Sequence, residues 1–173
     1  MKGKLDQAVS TIETNFRDLI LKKELFREDY TLEIESSGLK KFMKFVKEDD
    51  STCFNMLSSV TGIDYLKYDD DKRRFGVVYS LISIKYKIRL NIRVRVTESD
   101  CHIDSLCDLW RSADWQEREI FDLYGIIFDG HPDLRRILLD EKDYSGVHPL
   151  RKDYPLKGLG ERHSPLKNYG DDL

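Results

Sequence analysis

Histidines and aspartates that could carry chemistry are concentrated beyond residue 130. His131 and His148 each precede a proline, with Asp133, Asp143 and Asp153 near them in the sequence. Imidazole and carboxylate groups together can bind a metal ion or transfer protons. However, no pair of these residues has a spacing that holds both side chains on one face of a helix or strand, and an irregular segment does not position ligands rigidly by itself. We therefore predict no catalytic residue and no metal ligand in this chain. The alternative that stays open is that the chain is a free-standing enzyme whose active site is formed by His and Asp residues of the C-terminal segment.

Other motifs also indicate no catalytic or cofactor site. Cys53, Cys101 and Cys107 include no C-x-x-C pair of the kind that holds zinc or an iron–sulfur cluster, so reduced structural thiols are expected. Cys101 and Cys107 lie near His102, and we interpret this cluster as a loop leading into a helix. The sequence has no G-x-S-x-G, no G-x-G-x-x-G after a strand and no P-loop. The acidic run 69–71 is interpreted as a solvated loop tip, because calcium loops need ligands at alternate positions and a glycine.

Composition excludes several classes of partner. The chain has 173 residues, of which 40% are hydrophobic and 35% charged, with a formal net charge of -3. This length accommodates one domain and an extension. The nearly balanced charge creates no global field for nucleic acid or an anionic membrane, so we predict no nucleic-acid partner. The amino terminus lacks the apolar core of a secretion signal, which favours a cytoplasmic location.

Hydrophobic periodicity predicts the elements that must position these residues. Helical spacing predicts helices near residues 5–21 and 39–47, and alternation predicts a strand at 30–35. An apolar-rich stretch at 52–60 predicts another strand, followed by a polar loop from Gly62. These patterns are typical of an α+β fold.

The clearest pattern is the alternation of apolar and polar residues over 82–96. Because strand character extends back to Phe75, the segment is too long for one strand, and a hairpin turn is predicted at 86–88. Arg89, Arg93 and Arg95 are predicted on the solvent-exposed face, where their charge would prevent edge pairing. The sheet is therefore predicted to be mainly antiparallel and packed with helices.

The pattern changes after Thr97. Asp104 is predicted to cap a short helix that reaches Trp110, and Asp114 with Glu117 forms the spacing of a capping box for a second helix. Gly125 is predicted to end that helix. We accordingly divide the chain into an α+β domain at 1–124 and an extended irregular C-terminal segment at 125–173.

The C-terminal segment has the composition of a buried contact. Prolines and glycines interrupt it, while arginines alternate with leucines and Tyr154. Arginine and aromatic residues are the types that anchor protein interfaces. Ordering such a segment costs about 1–2 kcal/mol per residue, so we predict that residues 130–158 form a strap ordered mainly by a partner. The alternative is that the first half packs back on its own sheet.

Two stretches of this half of the chain carry a recognisable motif. They are DWQEREIFDLYGIIFDGHPDLRRILL at 114–139 and GVHPLRKDYPLKG at 146–158. Their acidic, basic and His-Pro positions resemble the signature of the C subunit of the proton-pumping NADH:quinone oxidoreductase, respiratory complex I. The similarity extends more loosely back to about residue 61, and it is closer to the respiratory form than to plastid or hydrogenase relatives.

The resemblance implies a non-redox structural or assembly subunit of the peripheral arm, supporting electron transfer from NADH to quinone coupled to proton translocation. It implies no flavin, iron–sulfur cluster or quinone ligand in this chain, since flavin and clusters are expected in partner subunits. The expected partners are chiefly the D-type and B-type subunits, with the C-terminal segment extended across the D-type subunit. The implied location is the cytoplasmic side of the bacterial inner membrane, or the matrix side in an organelle, with membrane association through the complex only.

Charged and polar residues of the two stretches are predicted to lie at a partner interface or in buried ion pairs. Acidic and basic side chains concentrated in an apolar neighbourhood indicate desolvated pairing. Two glutamates are candidate intrachain partners of the arginines. The predicted set is Glu117, Arg118, Glu119, His131, Arg135, Arg136, His148, Arg151, Lys152 and Tyr154.

Overall fold

The computed structural model describes residues 2–68 and 71–155. Four helices and seven strands lie in these ranges, together with a short 3-10 turn at Ser36–Gly38. The helices are α1 (Lys2–Phe16), α2 (Leu39–Glu48), α3 (Ala113–Tyr124) and α4 (Glu141–Tyr144). The strands are β1 (Ile20–Phe26), β2 (Asp29–Ile34), β3 (Met56–Asp64), β4 (Phe75–Ser83), β5 (Ile88–Val96), β6 (His102–Asp104) and β7 (Ile127–Asp129).

The main sheet is mixed but mostly antiparallel. Its five strands lie in the order β1-β2-β5-β4-β3, and only the β2–β5 pair is parallel among the pairings of this sheet. Helices α1 and α2 contribute their apolar faces to the same buried core as the sheet. Strands β6 and β7 form a separate parallel pair beyond β5. The predicted α+β class, with a mainly antiparallel sheet packed with helices, is confirmed.

The alternating pattern of β5 lies in the predicted register. Its odd-numbered polar residues and even-numbered apolar residues face opposite sides, and Ile92 and Val94 are fully buried in the core. Arg89 is exposed as predicted and Arg93 is only partly exposed, but the prediction that Arg95 faces solvent is wrong. Arg95 is only 8% exposed, because it donates to the carbonyl oxygen of Arg73 and stacks 4.1 Å above the ring of Tyr65. The segment between β3 and β4 therefore folds back over this end of the sheet.

Several element boundaries differ from the prediction. Helix α1 ends at Phe16, and the apolar residues that follow belong to β1, which the helical periodicity had absorbed. Strand β3 continues through Gly62 to Asp64, into the predicted polar loop. The β4–β5 turn occupies 84–87 rather than 86–88, with Lys87 at a φ of 54°. Residues 105–110 form turns instead of the predicted short helix, and positions 69 and 70 of the predicted acidic tip lie outside the described residues.

Helix α3 packs directly on the edge strand β3. Gly62 makes this approach possible, since a Cβ atom there would lie 2.7 Å from the ring of Tyr124 and 3.3 Å from Ile120. A side chain at this position would displace either the Tyr124 ring or the helix itself. The position of α3 matters because both motif stretches converge on it.

Candidate interface at the ends of helix α3

The C-terminal end of α3 is capped by residues from the second motif stretch. The last carbonyl groups of a helix have no partner within it and carry a partial negative charge, so N–H donors and cations stabilise them. Three groups from 148–151 meet this need. They are His148 Nδ1, 3.0 Å from the carbonyl oxygen of Asp122, Leu150 N, 3.1 Å from that of Leu123, and Arg151 Nε, 2.7 Å from that of Tyr124.

Gly125 makes room for this cap. Its φ of 76° is left-handed, as expected for the residue that ends a helix, and its N–H donates to the carbonyl oxygen of Phe121. A Cβ atom at Gly125 would lie 2.5 Å from His148 Nε2 and 2.6 Å from Arg151 Nη2. Both the backbone conformation and the space therefore require glycine, and the predicted helix stop is explained.

The carboxylate of Asp122 holds the first motif stretch. Its Oδ2 accepts the backbone N–H groups of Ile137, Leu138 and Leu139 at 3.0, 2.7 and 3.1 Å. Its Oδ1 accepts Arg136 Nη1 at 2.7 Å. Burial alone would raise the pKa of Asp122, but these donors outweigh it and lower the pKa below its usual value. Asp122 is therefore a buried anion that fixes the turn at 137–139.

Arg136 joins three segments of the chain. Besides Asp122, it binds Glu141 at 2.8 Å and donates through Nη2 to the carbonyl oxygen of Val147 at 3.1 Å. Its side chain is 6% exposed and that of Asp122 is 0% exposed. Asp122 was not among the predicted site residues. Asp122 lies within the first motif stretch, but it follows Glu117 by five residues, a spacing that does not place two side chains on one face of a helix.

Glu117 turns into the core instead of capping the helix. Ser112 precedes α3 without a side-chain capping bond, and Asp114 lies inside the first turn, so the predicted capping box is wrong. The carboxyl group of Glu117 accepts Ser105 Oγ at 2.6 Å and Leu106 N at 2.8 Å. Burial raises the pKa of Glu117, and the donors only partly offset this effect. Glu117 pairs with none of the arginines that the sequence suggested.

Cys107, Glu117 and His131 come together in a group that sequence spacing could not reveal. Their ligand atoms lie within 4.8 Å of one another. His131 Nδ1 accepts the backbone N–H of Asp133 at 3.0 Å, so its proton lies on Nε2, 3.1 Å from the carbonyl oxygen of Asp114. A metal ion at Nε2 would have to displace that proton. Burial also raises the pKa of Cys107 to about 12, which keeps the thiol protonated. The three side chains therefore lie in one polar cluster, in which Cys107 Sγ donates to Glu117 at 3.4 Å, and the absence of a metal stays a prediction.

The two motif histidines lie at opposite ends of α3. His131 contacts the carbonyl oxygen of Asp114 in the first turn, whereas His148 contacts that of Asp122 near the last. Eight residues of helix separate these carbonyls, a rise of roughly 12 Å. A single acid–base site that contains both imidazoles is incompatible with this arrangement.

Arg118 and Arg135 lie near the N-terminal half of the helix. The Arg118 guanidinium lies 4.8 Å above the ring of Trp115 and donates to the carbonyl oxygen of Arg135 at 3.3 Å. Arg135 itself is exposed and pairs with Asp133 at 3.0 Å. Glu119 is exposed on the outer side of the helix. The motif therefore contains buried residues that hold the C-terminal segment on the helix and exposed residues that remain accessible to a partner.

The remaining motif residues lie near the end of the described chain. Lys152 is exposed, and its backbone N–H donates to Asp64 Oδ2 at 2.8 Å. Tyr154 is partly buried, and its N–H donates to the carbonyl oxygen of Arg151 at 3.1 Å. Residues 156–173, which include the end of the predicted strap, lie outside the described residues. That a partner supplies most of the order of the strap stays a prediction.

The chain belongs to the family described as the 30 Kd subunit of the respiratory-chain NADH dehydrogenase, whose model matches residues 32–159. This match includes both motif stretches and most of the sheet. The recognition of the C subunit of respiratory complex I from these stretches is thereby confirmed.

Relatives and solved structures agree with this family. The chain is 45% identical over 153 residues to the NADH-quinone oxidoreductase C subunit of Geotalea uraniireducens, covering 88% of this chain and 89% of the relative. It is 44% identical over 155 residues to the same subunit of Trichlorobacter lovleyi, covering 90% and 92%. A trypsin-resistant fragment (1-134) of Nqo5 matches with a TM-score of 0.66 and 33% identity, over 76% of this chain and 99% of that one.

A more distant structure shares the fold. A chain of the membrane-bound sulfane sulfur reductase, an archaeal respiratory membrane complex, matches with a TM-score of 0.71 and 20% identity, over 88% of this chain and 86% of that chain. At this identity the likeness concerns the fold alone. Within residues 2–68 and 71–155, no helix has the length and apolar character needed to cross a membrane.

Proposed function

We propose that this chain is a non-redox structural subunit of a proton-translocating NADH:quinone oxidoreductase. In this role it takes part in the peripheral arm, on the cytoplasmic side of the membrane, and holds other subunits together while they transfer electrons from NADH to quinone. The observation that carries the proposal is the match to curated relatives, named as the C subunit of NADH-quinone oxidoreductase, over 153 residues and about nine-tenths of both chains.

The hydrogen bonds of the motif residues support a structural role. His148, Arg136 and Asp122 are engaged with backbone groups or with each other at the end of α3. Cys107 keeps its proton, and the Nε2 proton of His131 faces a carbonyl oxygen. Side chains in these states are poor metal ligands and poor nucleophiles. We propose accordingly that flavin and iron–sulfur clusters reside in partner subunits and that this chain binds no metal.

Outward residues of the motif support an interface. Trp115 is 63% exposed, Leu138 59% and Leu150 50%, although all three flank buried motif residues. Exposed aromatic and apolar side chains are residue types that are typical of protein interfaces. We propose that these exposed side chains and the following C-terminal strap are covered by the D-type subunit, with the B-type subunit adjacent.

A related structure supports the division into domain and strap. The Nqo5 structure is that of a trypsin-resistant fragment, and it covers 76% of this chain. Resistance to protease indicates a folded unit, and a segment outside such a unit is accessible unless a partner protects it. We propose that the strap of this chain is such a segment, accessible in the isolated chain and protected when a partner subunit covers it.

Purification from native membranes tests the function. A tagged full-length chain should co-purify with high-mass partners and with NADH:quinone oxidoreductase activity. Cross-linking followed by mass spectrometry should connect the strap chiefly to the D-type subunit. The chain purified alone should contain no flavin, iron or zinc in stoichiometric amount. Stoichiometric metal together with activity in the isolated chain would overturn the proposal in favour of a free-standing enzyme.

A further inference from the structure

Arg74, the residue before β4, binds carboxylates from three distant parts of the chain. Its guanidinium donates to Asp64 at 2.8 and 3.1 Å, to Asp153 at 2.8 and 3.1 Å, and to Glu98 at 2.9 Å. The side chains of Arg74 and Asp64 are 8% and 1% exposed. Those of Asp153 and Glu98 are each 54% exposed. One buried carboxylate and two half-exposed ones share a single buried cation.

The C-terminal segment is attached to this cluster by its backbone as well as by a side chain. Asp153 provides the side-chain contact, and the neighbouring Lys152 N–H donates to Asp64 Oδ2 at 2.8 Å. Asp64 ends β3, so both contacts hold the segment at the same corner of the sheet. Two residues later the described chain ends at Pro155.

Asp153 can leave this cluster without stranding a buried positive charge. Arg74 remains bound to Asp64 through two N–H groups, and Arg151 lies 3.7 Å from Glu98. Two arginines thus face three carboxylates. An ion pair with a half-exposed partner contributes little free energy and is screened by salt. The Arg74–Asp153 contact therefore favours one position of the segment but is weak enough to break reversibly.

We propose that Arg74 is the positioning residue of the C-terminal strap. It binds Asp153 directly, and it also binds Asp64, which accepts the Lys152 N–H, so that residues 152 and 153 are held at the end of β3. The consequence for assembly rests on the proposed function, because a strap aligned in advance loses less conformational entropy when a partner subunit binds.

A pair of single substitutions in the full-length chain tests the positioning role. Asp153→Asn removes the strap's contact to Arg74. Glu98→Gln removes an equally exposed carboxylate from the same guanidinium. It also loses the 3.7 Å contact of Glu98 with Arg151, but it keeps both the Asp153–Arg74 contact and the Lys152–Asp64 hydrogen bond. Amide exchange followed by NMR should be about two- to fivefold faster at residues 152–154 in D153N and unchanged in E98Q, the range given by a weak ion pair. Thermal unfolding of the domain should be the same for both variants and the parent chain.

Salt provides a second readout that simple destabilisation would not produce. Raising sodium chloride should accelerate exchange of the Lys152 amide in the parent chain, because ions screen the Arg74–Asp153 pair. D153N should show no such acceleration. Equal exchange of the Lys152 amide in D153N, E98Q and the parent chain, or a salt response that survives in D153N, would overturn the inference.

Binding to the D-type subunit separates this inference from the proposed function. D153N should bind that subunit about two- to fivefold more weakly than the parent chain, while E98Q should bind with parental affinity. Equal affinity of all three proteins would overturn the positioning role. Failure of the parent chain to bind the subunit at all would instead overturn the proposed function, and the exchange measurements on residues 152–154 would stand.

Discussion

Asp122 Oδ1 and Arg136 Nη1 lie 2.7 Å apart in an ion pair whose side chains are 0% and 6% exposed. Asp122 belongs to the helix that packs on the sheet, and Arg136 belongs to the segment that follows β7. The pair therefore joins the folded domain to the first part of the C-terminal segment. Its energetic value comes less from mutual attraction than from the cost of leaving either charge buried and unmatched.

Removal of Arg136 should therefore be strongly destabilising. Arg136→Ala leaves the Asp122 carboxylate without its cation, and we expect a loss of about 3–5 kcal/mol in the free energy of unfolding. Urea denaturation measures this loss, and the amount of assembled complex in membranes should fall. Arg135→Ala is the matched control, because that neighbouring side chain is 74% exposed. Normal assembly of the R136A chain with loss of turnover only would favour a catalytic role for Arg136.

Gly125 should tolerate no side chain. Gly125→Ala combines a left-handed φ with contacts near 2.5 Å to the His148 ring, and overpacking adds about 1–3 kcal/mol to the backbone strain. Gly130→Ala carries the backbone strain alone, since Gly130 has a φ of 79° but a Cβ atom there would meet nothing within 4 Å. The unfolding free energy of G125A should be lower than that of G130A. Equal values would mean that the His148 cap moves aside freely.

Sequence periodicity was sufficient for the sheet centre and the two N-terminal helices because their apolar faces repeat at regular intervals. Periodicity did not predict strand β1, because Ile20 and Leu21 continue the helical spacing of α1 and the strand lies at an edge of the sheet with little burial. The polar face of β5 was misjudged because Tyr65 and Arg73 cover it from a loop whose path no periodicity encodes. Local patterns thus determine faces, whereas loops that return over a sheet depend on tertiary contacts.

That the predicted site residues lie at a partner interface stays a prediction, and most of their intrachain partners could not be inferred from the sequence. Asp122, Asp64 and Arg74 bind motif residues from 14 to 88 positions away. Such contacts leave no spacing signal in a single sequence. A hydrogen bond to a backbone carbonyl oxygen, such as that of His148 to residue 122, does not depend on the residue type of the acceptor, so it leaves no signal in the sequence.

Acid should weaken the contribution of Asp122. Its pKa is lowered in the folded protein, so the folded state favours the ionised form relative to an unfolded value of about 3.9. The resulting stabilisation is fully present above that unfolded value and is lost as pH falls through the folded value. Asp122→Asn should therefore be much less stable than the parent chain near pH 6 and approach it in acid. A difference in unfolding free energy that stays constant with pH would contradict this assignment.

Glu117 should have the opposite pH dependence. Burial raises its pKa, so the folded state favours the neutral form relative to an unfolded value of about 4.3. Stability from this preference is present at low pH and is lost as pH rises through the folded value. Glu117→Gln, which keeps a neutral side chain, should thus gain stability relative to the parent chain as pH rises above the unfolded value. Glu119→Gln, on the exposed side of the helix, is the matched control, and urea denaturation at each pH measures the unfolding free energy of both variants.

The C-terminal strap should show two levels of protection in the isolated chain. Amide groups of 137–139 and of Leu150 donate to Asp122 and to the carbonyl oxygen of Leu123, so they should exchange more slowly than exposed amides of the same segment. Both classes should still exchange faster than amides of β4 and β5, since few apolar contacts protect them.

Addition of the D-type subunit should then slow exchange and proteolysis from about residue 130 onward. A partner that covers the segment supplies the apolar burial that a small domain lacks, and this burial offsets the ordering cost of about 1–2 kcal/mol per residue. Amide exchange with mass spectrometry and limited trypsin digestion measure the change, and the protected peptides of β4 and β5 serve as internal controls. Identical protection with and without the partner would mean that the domain alone orders the segment, and the strap hypothesis would then be abandoned.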